Sequence, residues 1–127
     1  FAYALPAAAA VTDGLGSIST SGVRSRGITL ATSRGAALTV PAAGTVRFAG
    51  PYREHDGIVI IDHGRGWITL IANVATPLER GATVRLGQPL GRALGPISLE
   101  LSRNGQRVSP ALIAGSSQSL SNRAKGG

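Results

Sequence analysis

Short segments in which apolar and polar residues alternate, or in which β-branched residues cluster, follow one another along most of the chain. The clearest is ISLELSR, residues 97–103, whose strict alternation has the period of a β-strand. Its apolar face consists of Ile97, Leu99 and Leu101. Its polar face consists of Ser98, Glu100 and Ser102. This pattern predicts a strand that buries only one of its two faces.

Turn signals separate these segments and predict how the strands pair. AALTV and GTVRFAG flank a PAA turn, and GIVIID and WITLIANV flank the Gly-rich link HGRG. Asn104–Gly105 follows ISLELSR, and this dipeptide favours a two-residue hairpin turn because both positions tolerate positive φ. No segment has a convincing period of 3.6 residues. We therefore predict an all-β fold, an antiparallel β-sandwich with little helix.

The segment GIVIID is apolar on both of its faces, which a strand at the surface of a sandwich does not require. Ile58 and Ile60 share one face, and Val59 and Ile61 share the other. Either a further strand covers the second face, or that face lines a groove that receives a partner. We favour a covering strand, because apolar sheet faces are usually packed against other strands. A groove that receives a partner remains the functional alternative.

The composition narrows the classes of partner. The formal net charge is +7, with twelve Arg and one Lys, and this favours anionic partners such as acidic proteins or polymers. The arginines are scattered from Arg24 to Arg123, however, and the whole chain has only five aromatic residues. Single-strand binders need aromatic side chains for base stacking, so we expect no nucleic-acid partner.

The organisation along the chain suggests one domain with two flanking segments. Residues 1–20 are rich in Ala and Gly and are predicted to be a lead-in that partly packs on the domain. Residues 21–115 form the domain, and residues 116–127 are small and polar and are predicted to be a disordered tail. The chain begins at Phe1 and lacks Met, so we expect a processed fragment. No window is apolar enough to span a membrane, and we expect no membrane insertion.

Candidate chemistry is sparse. The chain has no Cys and two histidines, so a tetrahedral zinc site would need carboxylates in addition. His55 and Asp56 are adjacent in a polar loop and would point in different directions. His63 lies in DHGRG, where we expect it to satisfy local hydrogen bonds. No serine lies in a nucleophile elbow. The residues therefore predict no metal and no other cofactor.

Three stretches together carry a resemblance to a known family: GTVRFAGPYREHDGIVIIDHGRGWITLIANV, GATVRLGQPLG and ISLELSRNGQRVSP. They resemble the LytM, or lysostaphin-type, peptidase domain over roughly residues 21–110. Active members of that family cleave peptide cross-links in peptidoglycan. The resemblance implies a zinc held by a His, an Asp four residues later and the second His of a His-x-His motif, with two further histidines assisting catalysis.

The residues at the matching positions have changed. The first motif matches SRGIT, with Ser25 for the His ligand and Thr29 for the Asp ligand. The second matches LIAN, with Asn73 for an assisting His. The third matches Pro96–Ser98, with Ser98 for the last ligand, and the following Glu100 is retained. Hydroxyl groups are poor zinc ligands, so the resemblance implies a domain that has kept the fold and lost the enzyme activity.

Degenerate LytM domains of this kind resemble the EnvC-type activators of murein hydrolases in Gram-negative bacteria. The resemblance implies a periplasmic protein that binds and activates a zinc-dependent N-acetylmuramoyl-L-alanine amidase during cell division. Two alternatives stay open: a residual zinc endopeptidase, and a peptidoglycan-binding module without a protein partner. A third, a biotinyl-type carrier, is disfavoured because it would need a Lys at a hairpin tip, and the only Lys, Lys125, lies in the tail. The expected partner-binding groove consists of Ser25, Arg26, Thr29, His55, Asp56, Val59, Asn73, Ser98, Glu100 and Ser102.

Overall fold

The computed structural model describes residues 2–13, 27–52 and 55–115, with only the backbone described at residues 13 and 55. These residues form nine strands, and one short helix covers residues 110–115. The strands are β1 (Val11–Asp13), β2 (Ile28–Leu30), β3 (Ala37–Thr39), β4 (Gly44–Tyr52), β5 (His55–Gly64), β6 (Trp67–Ala75), β7 (Thr83–Val84), β8 (Pro89–Arg103) and β9 (Gln106–Val108).

All nine strands belong to one antiparallel sheet. Seven of them follow the order β1-β2-β8-β6-β5-β4-β7, and β3 and β9 both pair with β8. β8 is the longest strand and pairs along its length with β2, β3, β6 and β9, more partners than any other described strand has. The predicted antiparallel all-β fold with little helix is confirmed. No described helix has the length and apolarity needed to cross a membrane.

Two hairpin tips lie side by side at one end of the sheet. The β5–β6 tip contains Arg65 (φ 54°) and Gly66 (φ 84°), and the β8–β9 tip contains Asn104 (φ 52°) and Gly105 (φ 83°). These positive φ values are those of a type I′ turn, as the Asn–Gly dipeptide predicts. The backbone N–H of Asn104 donates to the Gly66 carbonyl at 2.9 Å. A Cβ at Gly66 would collide with the Asn104 amide, so this contact requires glycine.

The core lies on one face of the central strands. Val59 pairs with Ile71, and Ile71 pairs with Leu99, and all three side chains are 0% exposed. Seven strands, β2 to β8, contribute to the same apolar cluster, so the sheet encloses its own core. Burial of large aliphatic side chains on this scale is the main source of stability in such a domain.

The segment before β1 packs against the core. Tyr3 is buried, and its hydroxyl forms a hydrogen bond with the Thr69 hydroxyl at 3.1 Å. The backbone N–H of Ala4 donates to the Pro41 carbonyl, and that of Thr39 donates to the Pro6 carbonyl, each at 2.9 Å. Burial raises the pKa of Tyr3, so this phenol stays neutral and available as a donor. Residues 2–13 are therefore an ordered strap, while residues 116–127 lie outside the described part of the chain.

Candidate functional site: the outer face of the sheet

The face opposite the core, here called the outer face, carries the positions that the LytM resemblance singles out. Thr29 of β2 lies directly opposite Ser98 of β8, and Ser98 lies opposite Ala72 of β6. Ala72 in turn pairs with Ile58 of β5. Because residues directly opposite each other in a sheet share a face, these registers define the surface. The outer face consists of Phe48, Ile58, Ile60, Ile68, Leu70, Ala72, Thr29, Ser98, Glu100 and Ser102.

The half of the outer face formed by β4, β5 and β6 is apolar. Ile58 and Ala72 are buried, Ile60 and Leu70 are half-buried, and Ile68 is 39% exposed. The described residues place no further strand over this half. Ile58 and Ala72 have no area left for a partner, whereas the exposed parts of Ile60, Leu70 and Ile68 are suited to contact with one.

An aromatic pair extends this apolar half along β4. The rings of Phe48 and Tyr52 meet edge to face, with centroids 5.7 Å apart. Tyr52 is 47% exposed, whereas Phe48 is half-buried. Such a pair presents a large, rigid contact area with a polar hydroxyl at its rim, which is a common property of protein interfaces.

The half formed by β2 and β8 is polar. Ser98 is exposed, and Thr29, Glu100 and Ser102 are half-buried. Arg107 of β9 forms an ion pair with Glu100, with Nε and Oε1 3.4 Å apart. The retained glutamate is thus engaged with a cation of a neighbouring strand. An amphipathic segment could bind here, with its polar side on the hydroxyl-rich half of the outer face and its apolar side on the apolar half.

Asn73 has a structural role at the end of this face. Its φ of 72° lies in the left-handed region, which Asn tolerates better than most residues. The register between β6 and β8 shifts here, because Ala72 pairs with Ser98 whereas Val74 pairs with Ala93. The Asn73 amide donates to the Pro96 carbonyl at 2.9 Å. Asn73 therefore holds the bulge of β8 that precedes Ser98.

Thr32 supports the same bulge from the other side. Its hydroxyl is buried and donates to the Gly95 carbonyl at 2.7 Å. Two consecutive carbonyls of the bulge are thus satisfied by side chains rather than by a neighbouring strand. Sequence reasoning did not identify Thr32, and its only sequence signal is a polar residue two positions after the apolar end of β2.

The assignment of Val59 to the groove floor is corrected by the register. Val59 pairs with Ile71 on the core side and is fully buried there. Its neighbours Ile58 and Ile60 lie on the outer face instead, where Ile58 is buried and Ile60 keeps some exposed area. Since GIVIID is apolar on both faces, the alternation within the segment does not reveal which face is the core.

The remaining predicted groove residues are placed only in part. His55 begins β5 opposite Tyr52, and only its backbone is described. Asp56 is exposed at the same end of the sheet as Asn73. Ser25 and Arg26 lie outside the described residues. The structure therefore brings five of the predicted residues to one surface: Thr29, Asn73, Ser98, Glu100 and Ser102. It does not test whether Ser25, Arg26, His55 and Asp56 belong to that surface.

His63 lies on the core side of β5, in a hydrogen-bonded network. Its Nδ1 donates to the Ala43 carbonyl at 2.8 Å, and its Nε2 accepts from the Thr69 hydroxyl at 2.6 Å. Thr69 can in turn accept from Tyr3. Burial lowers the pKa of His63, which favours the neutral ring that this arrangement requires. The sequence predicts a turn residue with local hydrogen bonds, whereas His63 lies in strand β5 and bonds to Ala43 and to Thr69 of β6.

The donor chemistry at the ligand positions does not fit zinc. Thr29 and Ser98 are neighbours, so the fold does bring two of the three positions together. Both side chains end in neutral hydroxyl groups, and the third position is Ser25. Structural and catalytic zinc sites use thiolate, imidazole or carboxylate donors. Among the described residues, no three His, Cys, Asp or Glu side chains are grouped so that they could hold a metal ion.

Comparison with known proteins identifies the family of the chain. The family model described as "Peptidase family M23" matches residues 23–111. The chain belongs to peptidase family M23. The family model therefore covers both Thr29 and Ser98, as well as all strands from β2 to β9. Among curated proteins, none matches the sequence.

Solved structures of M23 proteins share the fold. A structure described as an M23 peptidase from Pseudomonas aeruginosa has a TM-score of 0.76 and 27% identity, over 90% of this chain and 50% of that one. Lysostaphin has a TM-score of 0.80 and 13% identity, over 91% and 55% of the two chains. The lysostaphin-type fold is confirmed. The present chain thus spans about half the length of each of these two M23 proteins.

A third similar structure is a complex. The crystal structure of SpoIIIAH and SpoIIQ contains a chain with a TM-score of 0.73 and 16% identity, over 89% of this chain and 97% of that one. At this identity the similarity concerns the fold. The M23 fold thus occurs both in peptidases and in a protein–protein complex.

Proposed function

We propose that this M23 domain is catalytically inactive and activates another enzyme by binding it through the outer face. The observation that carries the proposal is the direct pairing of Thr29 with Ser98. Two positions that hold metal ligands in active LytM domains are adjacent, and both carry hydroxyl groups. The frame of the site is kept while its donors are replaced, which favours a binding function over zinc-dependent hydrolysis.

The proposed partner is a zinc-dependent N-acetylmuramoyl-L-alanine amidase of the Gram-negative periplasm, acting on peptidoglycan during cell division. The EnvC-type resemblance supports this choice. The complex of SpoIIQ with SpoIIIAH supports protein binding by this fold in general terms. The surface is also suitable, because an apolar strip with Ile60, Ile68 and Leu70 adjoins the polar strip of β8. An amphipathic helix of the amidase could lie along that boundary.

The required energy is moderate. An autoinhibited amidase that changes from about 1% to about 99% active needs about 5.5 kcal/mol of differential binding to its active form. Full burial of two or three large aliphatic side chains contributes about 1.5–3 kcal/mol each. Ile60, Ile68 and Leu70 are already partly buried before binding, so they contribute only part of this energy, and contacts with the polar strip of β8 must contribute the rest.

The decisive experiment measures amidase stimulation by dye release from labelled peptidoglycan. The chain is expected to stimulate a cognate amidase and to cleave no peptidoglycan alone. Ser98→Trp places a bulky ring at the centre of the face and should abolish stimulation, and Arg26→Glu should do the same. Leu112→Trp is the matched control, because Leu112 is 73% exposed on the short helix, whose Ala111 and Ala114 pack on the core. It should stimulate normally.

Three results would contradict the proposal. Full stimulation by both Ser98→Trp and Arg26→Glu, in folded protein, would exclude the outer face as the binding surface. One equivalent of zinc together with peptidoglycan cleavage by the chain itself would establish the endopeptidase alternative. Retention on insoluble sacculi without binding to any amidase would favour a peptidoglycan-binding module.

A further inference from the structure

A cleft separate from the outer-face positions of β2 and β8 lies at the opposite end of the sheet, between β4, β5 and the turn before β7. Its volume is about 620 Å³, within the range of sites for small ligands. Among its lining residues are Gly44, Arg47, Asp62, Gly64, Arg80 and Gly81. Asp62 is four residues beyond Ile58 along β5, or roughly 13 Å at the rise of a strand, and two strands away from β8.

Backbone hydrogen bonds hold two arginines that line this cleft on neighbouring, paired segments. The N–H of Gly81 donates to the Val46 carbonyl, and the N–H of Val46 donates to the Ala82 carbonyl, both at 2.8 Å. Arg80 directly precedes Gly81, and Arg47 directly follows Val46. The same pair of hydrogen bonds therefore holds both arginines beside the opening, each on an ordered backbone.

Glycines keep the cleft open. A Cβ at Gly64 or Gly81 would meet no atom within 4 Å, so both residues face free space. Both also have positive φ, of 84° and 93°, which side chains other than Gly rarely adopt. The backbone at Gly64 and Gly81 therefore stays accessible beside the two arginines.

The charge balance of the cleft selects a ligand with one negative charge. Arg47 is paired with Asp62, and the Asp62 carboxylate also accepts from the N–H of Gly64 at 2.8 Å. Neither of the two ion pairs in the described residues involves Arg80, which is exposed. His63, also at the cleft, has both ring nitrogens bonded within the protein. Two cations and one carboxylate leave a single positive charge.

We propose that this cleft binds the carboxylate of a small molecule or peptide terminus between Arg80 and Arg47. The planar guanidinium group matches a carboxylate with two parallel hydrogen bonds, and a singly charged ligand matches the net charge better than a phosphate dianion. The cleft is larger than a carboxylate, so the rest of the ligand would lie along Gly44 and Thr45. This site does not rest on the amidase proposal, although Asp62 pairs with Ile68 and the cleft therefore adjoins the apolar half of the outer face.

Titration of the 127-residue chain by ¹⁵N–¹H NMR tests this site, with N-acetylglycine as the probe. Saturable shifts are expected at the amides of Gly64 and Gly81, and none with uncharged N-acetylglycinamide. Arg80→Gln should weaken binding about tenfold, since it removes a charged hydrogen-bond donor. Arg85→Gln is the matched control: it removes the same charge from an exposed arginine just after β7, outside the cleft, and should change the affinity less than about twofold.

Asp62→Asn provides a prediction of opposite sign. This change keeps the shape of the side chain and removes the carboxylate that competes for Arg47, so binding should become tighter. Equal weakening by Arg80→Gln and Arg85→Gln would overturn the proposal and indicate general charge attraction. So would weaker binding by a folded Asp62→Asn variant, or shifts located away from the cleft. Tighter binding of inorganic phosphate than of N-acetylglycine would overturn the assignment to a carboxylate.

Discussion

The two faces of strands β5, β6 and β8 share one backbone but differ in how they are filled. On the core face, Val59, Ile71 and Leu99 form a continuous row of fully buried aliphatic side chains. On the outer face, the adjacent row changes from apolar Ile58 to exposed Ser98. The core face therefore determines whether the sheet forms, whereas the outer face is free to vary with function.

The largest expected effect comes from truncating the core row. Leu99→Ala removes a fully buried side chain and leaves a cavity, and it should lower the free energy of unfolding by about 2–5 kcal/mol. Urea denaturation followed by circular dichroism measures this loss. Glu100→Ala, one residue further along β8, should cost less than about 1 kcal/mol, because its ion pair is partly exposed. Similar losses in both variants would remove the distinction between the faces.

Asn73 lies where the two faces meet the bulge, and its replacement should have an intermediate effect. Asn73→Ala loses the bond to the Pro96 carbonyl and forces a positive φ on alanine, so we expect a loss of about 1–3 kcal/mol. Asn73→Gly keeps the favoured backbone and should cost about 1 kcal/mol. Thermal and urea unfolding of both variants separate the strain from the bond. Equal losses would assign the whole effect to the side-chain bond.

The buried network on the core face should make stability depend on pH. Burial lowers the pKa of His63 from 6.5, so between the two pKa values the unfolded chain binds the proton more readily than the folded chain. This contribution to stability is complete above about pH 6.5 and falls as the pH is lowered. Urea unfolding between pH 7.5 and 5 measures the decline. A His63→Gln variant should show less of it, and a His55→Asn variant should retain it.

Asp62, near the cleft, titrates in a different range. Hydrogen bonds from the Gly64 N–H and from Arg47 lower its pKa below 3.8. The contribution of Asp62 to stability is therefore present above pH 3.8 and is lost only as the pH falls further. Its titration does not overlap the pH range in which His63 acts.

The smallest expected effect on stability is at the open part of the outer face. Ile68→Ser changes a side chain that is 39% exposed, so the free energy of unfolding should fall by only about 0.5–1 kcal/mol. Amidase stimulation should nevertheless decrease, because the variant loses apolar contact area. Leu112→Ser makes a similar change away from this face and should leave stimulation intact. Reduced stimulation by both variants would indicate a general solubility effect.

The sequence was sufficient to predict the fold class and the polar residues of β8 on the outer face. The strict alternation of ISLELSR places Leu99 in the core and Ser98 outside it, and the Asn–Gly dipeptide marks the β8–β9 turn. The matching of SRGIT and PIS to family motifs is consistent with the register, which brings Thr29 and Ser98 together. These features depend on local period and turn chemistry, which a sequence displays directly.

Other features depend on pairing between distant segments. The sequence does not show which alternate residues of GIVIID face the core, because both faces of the strand are apolar. Only the pairing with β6 shows that Ile58 faces outward. The cleft depends on two arginines, Arg47 and Arg80, that are 33 positions apart in the numbering and are joined by backbone bonds at Val46 and Gly81. No motif links them, since hydrogen bonds between main-chain atoms leave little trace in side-chain identity.

The pairing of Thr29 with Ser98 has a consequence for folding kinetics. The two residues are 69 positions apart, so the pairing of β2 with β8 closes a long loop. Contacts of such sequence separation carry a large loop-closure entropy and characterise slowly folding β-proteins. A nascent or partly unfolded chain would hold Thr29 and Ser98 apart. The outer face thus exists only in the complete sheet, so a partner that needs both strands distinguishes finished molecules from unfinished ones.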